Sequence, residues 1–283
     1  MFFVASSHGI RVAVHEFGGP ADAPPLLLSH ATGFHAHCYE PVAEVLSRHY
    51  RVFGLDYRGH GDTPAPSGWT VDWQRFGDDA VAVAESIAPH GGLVGVGHSM
   101  GGAALFMAAH RRPELFDHIV AFEPIAVPDD APEVDMDSLP IVVGARRRRR
   151  VFPSFEDAIE NYRTKLPLSV MTPEVLRAYV EHGFRRIDDG VELICSADVE
   201  VGIFTSSRDN GVWQLLPGIR TPATVVSGFV EAHQPSERCA GIAARLPHSR
   251  SIVLDHQSHL GPFSHPTEFA DLVIESVGSC PAG

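Results

Sequence analysis

The stretch VGVGHSMGGAAL, Val94–Leu105, decides how the chain folds. An apolar run ending at His98 reads as a buried strand, and Met100–His110 reads as the helix behind it, with Ser99 at the corner. A sharp strand-to-helix turn strains its corner residue and presses strand against helix, so the positions two before and two after tolerate almost no side chain. Gly97, Gly101 and Gly102 meet that demand, and Gly97-His98-Ser99-Met100-Gly101 fits G-x-S-x-G in the strand-turn-helix context the motif requires. Such a turn lifts the serine hydroxyl out of the fold. The Met100 amide, at the helix N-terminus, then faces the place where negative charge would develop on a reacting oxygen. The competing reading is a plain N-cap, which needs Ser, Thr, Asp or Asn at one position but no glycines on both sides.

Outward from this corner the chain alternates. PLLLSH (Pro25–His30), RVFGLDY (Arg51–Tyr57), LVGVGH (Leu93–His98) and HIVAFE (His118–Glu123) read as strands. Amphipathic helices are expected between them at Tyr39–Tyr50, Trp73–Ala88 and Met100–His110. Continuous apolar strands, rather than period-two patterns, indicate a mostly parallel sheet with helices on both faces. An opening hairpin is expected around Ser7-His8-Gly9. Alternation resumes late in the chain with Ala223–Phe229, Ser236–Leu246, Ser251–His256 and Thr267–Val277. The fold class is therefore α/β, with an eight-stranded sheet. Between about Val127 and Trp213 helical signals dominate: Ser154 with Asp157 resembles a capping box, Thr172-Pro173 opens a helix that Gly183 closes, and Asp189-Gly190 marks a tight turn. We therefore expect a core from residues 1–126 and 214–283 and a mainly helical cap from 127–213.

The 283 residues are 44% hydrophobic, enough for a sizeable core. A net charge of −13, from 22 basic and 35 acidic side chains, disfavours nucleic acid as a partner. No apolar run is long enough to span a bilayer and the N-terminus lacks a signal-peptide pattern, so no membrane association and a cytoplasmic location are expected. Cys38, Cys195, Cys239 and Cys280 are widely spaced and read as reduced, packed thiols. Oligomeric state is open, a homodimer included.

A serine nucleophile needs a base, and SIVLDHQSHLGPFSHP offers His256, His259 and His265. His259 follows a short loop leaving the last strand, where a side chain can reach across the sheet's end, and is the preferred base. An acid must then fix the imidazole tautomer. Glu123, ending HIVAFEP, and Glu231, in SGFVEAHQ, both stand at C-terminal strand ends, the edge where open α/β sheets build their sites.

These residues together resemble the α/β-hydrolase superfamily over nearly the whole chain. LLLSHATGF (Leu26–Phe34) resembles the family's His-Gly oxyanion loop, with Ala31 in the usual glycine position, which implies that the Thr32 amide joins that of Met100 as an oxyanion donor. LDYRGHGDT (Leu55–Thr63) resembles the D-x-R-G-x-G-x-S turn, in which Asp56, Arg58 and His60 are mostly structural. The family's usual Asp after the seventh strand is Glu231 here, whereas a minority carry the acid after the sixth strand, where Glu123 stands. Pro124 would fix the exit from that strand, so Glu123 is the preferred acid and Glu231 the alternative.

The resemblance implies a carboxylic ester hydrolase or lactonase acting on a small, largely apolar molecule through an acyl-enzyme, with neither metal nor cofactor. Candidate substrate contacts are Phe34, His98, Phe152 and Tyr162; of Phe152, Phe155, Tyr162, Tyr179, Phe184 and Phe204 some could line an apolar pocket, but aromatic residues in small helical insertions are more often just core. The Arg146–Arg150 run reads as a solvated helix face, with attraction of an anionic substrate or partner as the alternative. A slow ligand-binding receptor, a carbon-carbon bond hydrolase and a haloperoxidase-like enzyme use the same residues and stay open.

Overall fold

A computed structural model describes residues 1–278. The chain opens with the expected antiparallel hairpin, β1 (Phe2–Ala5) and β2 (Arg11–Gly18). There follow β3 (Pro25–Ser29), α1 (Glu40–Leu46), β4 (Arg51–Asp56), α2 (Trp73–Ile87), β5 (Leu93–His98), α3 (Met100–Arg111) and β6 (Phe116–Phe122). The segment that follows contributes α4 (Pro140–Arg147), β7 (Val151–Phe152), α5 (Phe155–Arg163), α6 (Pro173–Gly183), β8 (Phe184–Ile187), β9 (Gly190–Leu193), α7 (Ala197–Thr205) and α8 (Val212–Leu215) before the sheet resumes. The closing elements are β10 (Ala223–Ser227), α9 (Cys239–Arg245), β11 (Ser249–Val253), α10 (Gly261–Ser264) and α11 (Pro266–Gly278).

The main sheet has eight strands in the order β1-β2-β4-β3-β5-β6-β10-β11. Only the pairs involving β2 run antiparallel; the others are parallel. Successive side chains of a strand face opposite ways, so Leu26 and Leu28 join the core on the α1 and α11 side while Leu27 joins the one under α2 and α3. Residues Met100 to Ala109 of α3 are all buried. Alanines and glycines on this helix let it lie close against the sheet, which seats Ser99 firmly at its head.

The segment expected as a cap is less purely helical than its composition implies. β7, β9 and β8 form a separate three-stranded antiparallel sheet, with the Asp189-Gly190 turn joining its β8 and β9 strands. Two residues of β7 are too few for any periodicity to betray. The expected caps are present: Ser154 accepts from the Asp157 amide and Thr172 from that of Val175. Cys38, Cys195 and Cys239 are free and buried, as expected, whereas Cys280 lies outside the described residues. Among the described residues no helix is long and apolar enough to cross a membrane.

Candidate active site

Ser99 sits at φ 55 and ψ −115 and its side chain makes no capping hydrogen bond. Those angles cost a non-glycine residue about 1–3 kcal/mol, and a cap would not need them. The glycines show what holds the corner. A Cβ on Gly97 would lie 2.6 Å from Gly102 Cα, and one on Gly101 would lie 2.1 Å from the Ser29 carbonyl oxygen. The Ser99 amide donates to Phe122 O at 2.9 Å and its carbonyl accepts from Ile125 at 3.2 Å, tying the corner to the end of β6. Gly101→Ala has no flexible neighbour to displace. It is expected to cost about 3 kcal/mol and to shift the loop after β3, which thermal denaturation and loss of activity would register together.

Glu123 begins where β6 ends and also holds a left-handed backbone, φ 43. Its side chain is 1% exposed, with Oε2 2.6 Å from His259 Nδ1 and Oε1 accepting the Gly228 amide at 2.8 Å. In the tautomer that donates its Nδ1–H to this carboxylate in a hydrogen bond, the His259 ring has Nε2 free to accept a proton. The imidazole is anchored from behind as well. His98, the chain neighbour of Ser99, donates from Nε2 to the His259 carbonyl at 2.8 Å, while its Nδ1 accepts from the Tyr39 hydroxyl at 2.9 Å. Tyr39 in turn accepts the Ala31 amide at 3.3 Å. One hydrogen-bonded line thus joins the loop after β3, the elbow strand and the histidine loop.

Thr32 lies in that first loop between two committed amides: Ala31 donates to Tyr39, and Gly33 donates to His60 Nε2 at 3.0 Å. Among the described residues nothing accepts the Thr32 amide, and the Met100 amide is one of the helix-initial donors that no helical carbonyl can satisfy. Asp56, Arg58 and His60 are buried and structural: Asp56 accepts the Ala36 and Asp62 amides, and Arg58 pairs with Asp79 through two nitrogens.

Burial holds His30 down to about 3 and His35 and His60 to about 4, well under the ordinary 6.5. Folded values below the unfolded value mean that the unfolded chain binds more protons as pH falls. Stability from these groups is complete above pH 6.5 and drains away from about 6.5 down to about 4 for His35 and His60 and on to about 3 for His30. Three such histidines, at about 1.4 kcal/mol per pH unit each, approach a slope of about 4 kcal/mol per pH unit near pH 5. Urea unfolding at pH 7.5, 6 and 5 checks this; equal midpoints at all three would contradict it.

The remaining sequence candidates are sorted by position. Glu231 is exposed, and its amide donates to Ser236 Oγ. His256 pairs with Glu268 at 3.0 Å and His265 contacts Ser264 Oγ at 2.9 Å. Phe34 is half-buried, its ring 5.5 Å from Tyr179 and 4.7 Å from Phe263. The other three expected substrate contacts are buried and packed against protein. His98 is 1% exposed with both ring nitrogens engaged, so it positions the site. Phe152 and Tyr162 pack on one another and on Phe184 inside the cap, because aromatic spacing there serves its core. The Arg146–Arg150 run is not one solvated face either. Arg146 pairs with Asp137 and Arg149 donates to Val151 O on the outside, but Arg148 turns inward to Glu200. His37–Glu40–His182, His256–His265–Glu268 and His15–Asp56–Asp62 bring ligand-type atoms close together, and none of these groups includes Ser99, Glu123 or His259.

The profile of the alpha/beta hydrolase family matches residues 26–272. The chain is 26% identical to the pimeloyl-(acyl-carrier protein) methyl ester esterase of Aeromonas salmonicida, covering 95% of this chain and all of that one. Among solved structures it superposes on an esterase from Rhodococcus sp. ECU1013 with a TM-score of 0.78, 20% identity and 99% of each chain covered. The enol-lactonase from Burkholderia xenovorans LB400 gives 0.71 at 19% identity, covering 98% of this chain and 100% of that one. With its elbow, its eight-stranded sheet and a family match over most of its length, the chain belongs to the alpha/beta hydrolase family.

Proposed function

We propose that this protein hydrolyses a small carboxylic ester or lactone through an acyl-enzyme on Ser99, with His259 as base, Glu123 as its acid and the Thr32 and Met100 amides as oxyanion donors. The chain is an ester-hydrolysing member of its family, and its relatives include a methyl ester esterase and an enol-lactonase. The observation that carries the residue assignment is the 2.6 Å contact between the buried Glu123 carboxylate and the His259 imidazole, beside a serine held at φ 55.

In this mechanism Ser99 Oγ attacks the carbonyl carbon while its proton passes to His259 Nε2. The tetrahedral oxyanion gains two amide donors, each worth about 3 kcal/mol in the transition state. Collapse returns the proton to the departing alkoxide, which leaves as the alcohol. Water, deprotonated by the same imidazole, then releases the acid and restores the serine. Glu123 stays ionised throughout and stabilises the imidazolium. Residues 127–213 serve as a cap that shapes the substrate space and limits water.

The test is chemical. A fluorophosphonate is expected to label Ser99 alone in the folded protein and to lose that selectivity after heat denaturation, with p-nitrophenyl esters turned over by the unlabelled enzyme. Uniform labelling of several serines would reject the assignment. Labelling without turnover would favour a ligand-binding receptor.

A further inference from the structure

Arg148 follows the last residue of α4 and turns its guanidinium toward the loop that carries Thr32. Its Nη2 lies 3.0 Å from Glu200 Oε1, with side-chain exposures of 22% and 4%. The pair rests on Gly33: a Cβ there would lie 2.8 Å from Glu200 Oε1 and 3.8 Å from Arg148 Nη1. Gly33 has φ +81, and lacking a side chain it lets the loop pass directly beneath the two charges. Val199, one residue before Glu200 on α7, closes on Gly59 in the same way, at 2.9 Å. The cap therefore meets the core here through an ion pair placed one residue from the Thr32 amide.

Packing alone would be served as well by an apolar pair of similar volume, since desolvating two charges offsets most of their attraction. A guanidinium carries five N–H donors in a planar fork suited to carboxylates. Arg148 meets Glu200 at one end of that fork, which leaves the other donors for a second acceptor. Tyr179 supplies an independent observation. Its hydroxyl is buried with no partner among the described residues, and it is within electrostatic range of Arg148. Its ring packs against Phe34, two residues beyond Thr32. A buried hydroxyl left without an acceptor is a standing cost, and this one belongs to a ring that also packs on the loop carrying Thr32.

Resting on the reading of Ser99 as nucleophile, we propose that Arg148, oriented by Glu200 and joined by the Tyr179 hydroxyl, binds a carboxylate group of the substrate. The substrates are then monoesters, or equivalent lactones, of short dicarboxylic acids, which adds an ionised end to the small molecule expected. Consecutive Cα atoms are about 3.8 Å apart, so a short acyl chain bridges an ester carbonyl at Thr32 and a carboxylate above Gly33. The net charge of −13 repels anions at long range, so choosing one requires a local cation of this kind.

Monomethyl succinate and methyl pentanoate, similar in length and different in charge, test this by pH-stat titration. The native enzyme is expected to favour the succinate ester at least about tenfold in kcat/KM. Arg148→Met should lower that ratio at least about tenfold, mainly through KM for the succinate ester. Because the single variant leaves Glu200 buried without a partner, Arg148→Met with Glu200→Gln is measured beside it, and the ratio should fall equally in a protein of native melting temperature. An unchanged ratio in the double variant, or a native preference for methyl pentanoate, overturns the carboxylate assignment while Ser99 labelling by fluorophosphonate still stands. If Ser99 is not labelled and neither ester is hydrolysed, both readings fall.

Discussion

Ser99→Ala is expected to lower kcat by about a millionfold, with little change in fold or melting temperature. The size follows from the division of labour in a serine-histidine-acid site: without the nucleophile the acyl-enzyme cannot form, and only binding and the oxyanion donors remain, which support about 10³–10⁴ over the water reaction. The neutral effect on stability follows from the structure. Ser99 makes no capping hydrogen bond, so the variant removes no structural contact, and alanine meets the same backbone penalty at φ 55 that serine does. Kinetics on a p-nitrophenyl ester and a thermal melt of the same sample decide the matter. A variant that keeps more than about one part in a thousand of kcat would place the chemistry elsewhere. One that unfolds would return Ser99 to the structural role of a cap.

The sequence already located this corner, because glycine spacing around a strand end is a local signal with a local cause. His259 and Glu123 were legible for a related reason: in a parallel sheet every strand's C-terminal end opens on the same edge, so position along the strand substitutes for a coordinate. What supports them was not legible. His98, Tyr39 and His60 act through hydrogen bonds between residues 27 to 161 positions apart, and in a chain with 17 histidines nothing local marks these. Phe152 and Tyr162 illustrate a different limit. An aromatic residue in a short helical insertion has the same spacing whether it faces the cap's own core or the substrate, and only the packing against Phe184 and Tyr179 separates the two. Arg148 was hidden by its neighbours, since a run of five arginines reads as one charged surface until the end of α4 turns one of them inward.

Glu123→Gln is expected to lower kcat by about ten-thousandfold, whereas Glu231→Gln should leave it within about twofold. Glutamine keeps the shape of the buried side chain, and its carbonyl oxygen can still accept the Gly228 amide now bound at 2.8 Å. Its NH₂ group then faces His259 Nδ1, where the carboxylate oxygen stood 2.6 Å away. A donor in that place stabilises the tautomer with the proton on Nε2, which can no longer take a proton from Ser99, and it withdraws the negative charge that supports the imidazolium. Glu231 has neither connection: it is exposed, and its amide rather than its carboxylate is what the structure uses. KM for both variants should stay near the native value, because neither group is assigned to the substrate. Equal losses in the two variants, or a larger loss at Glu231, would move the acid to the turn after β10 and leave the strained backbone at Glu123 without a catalytic reason.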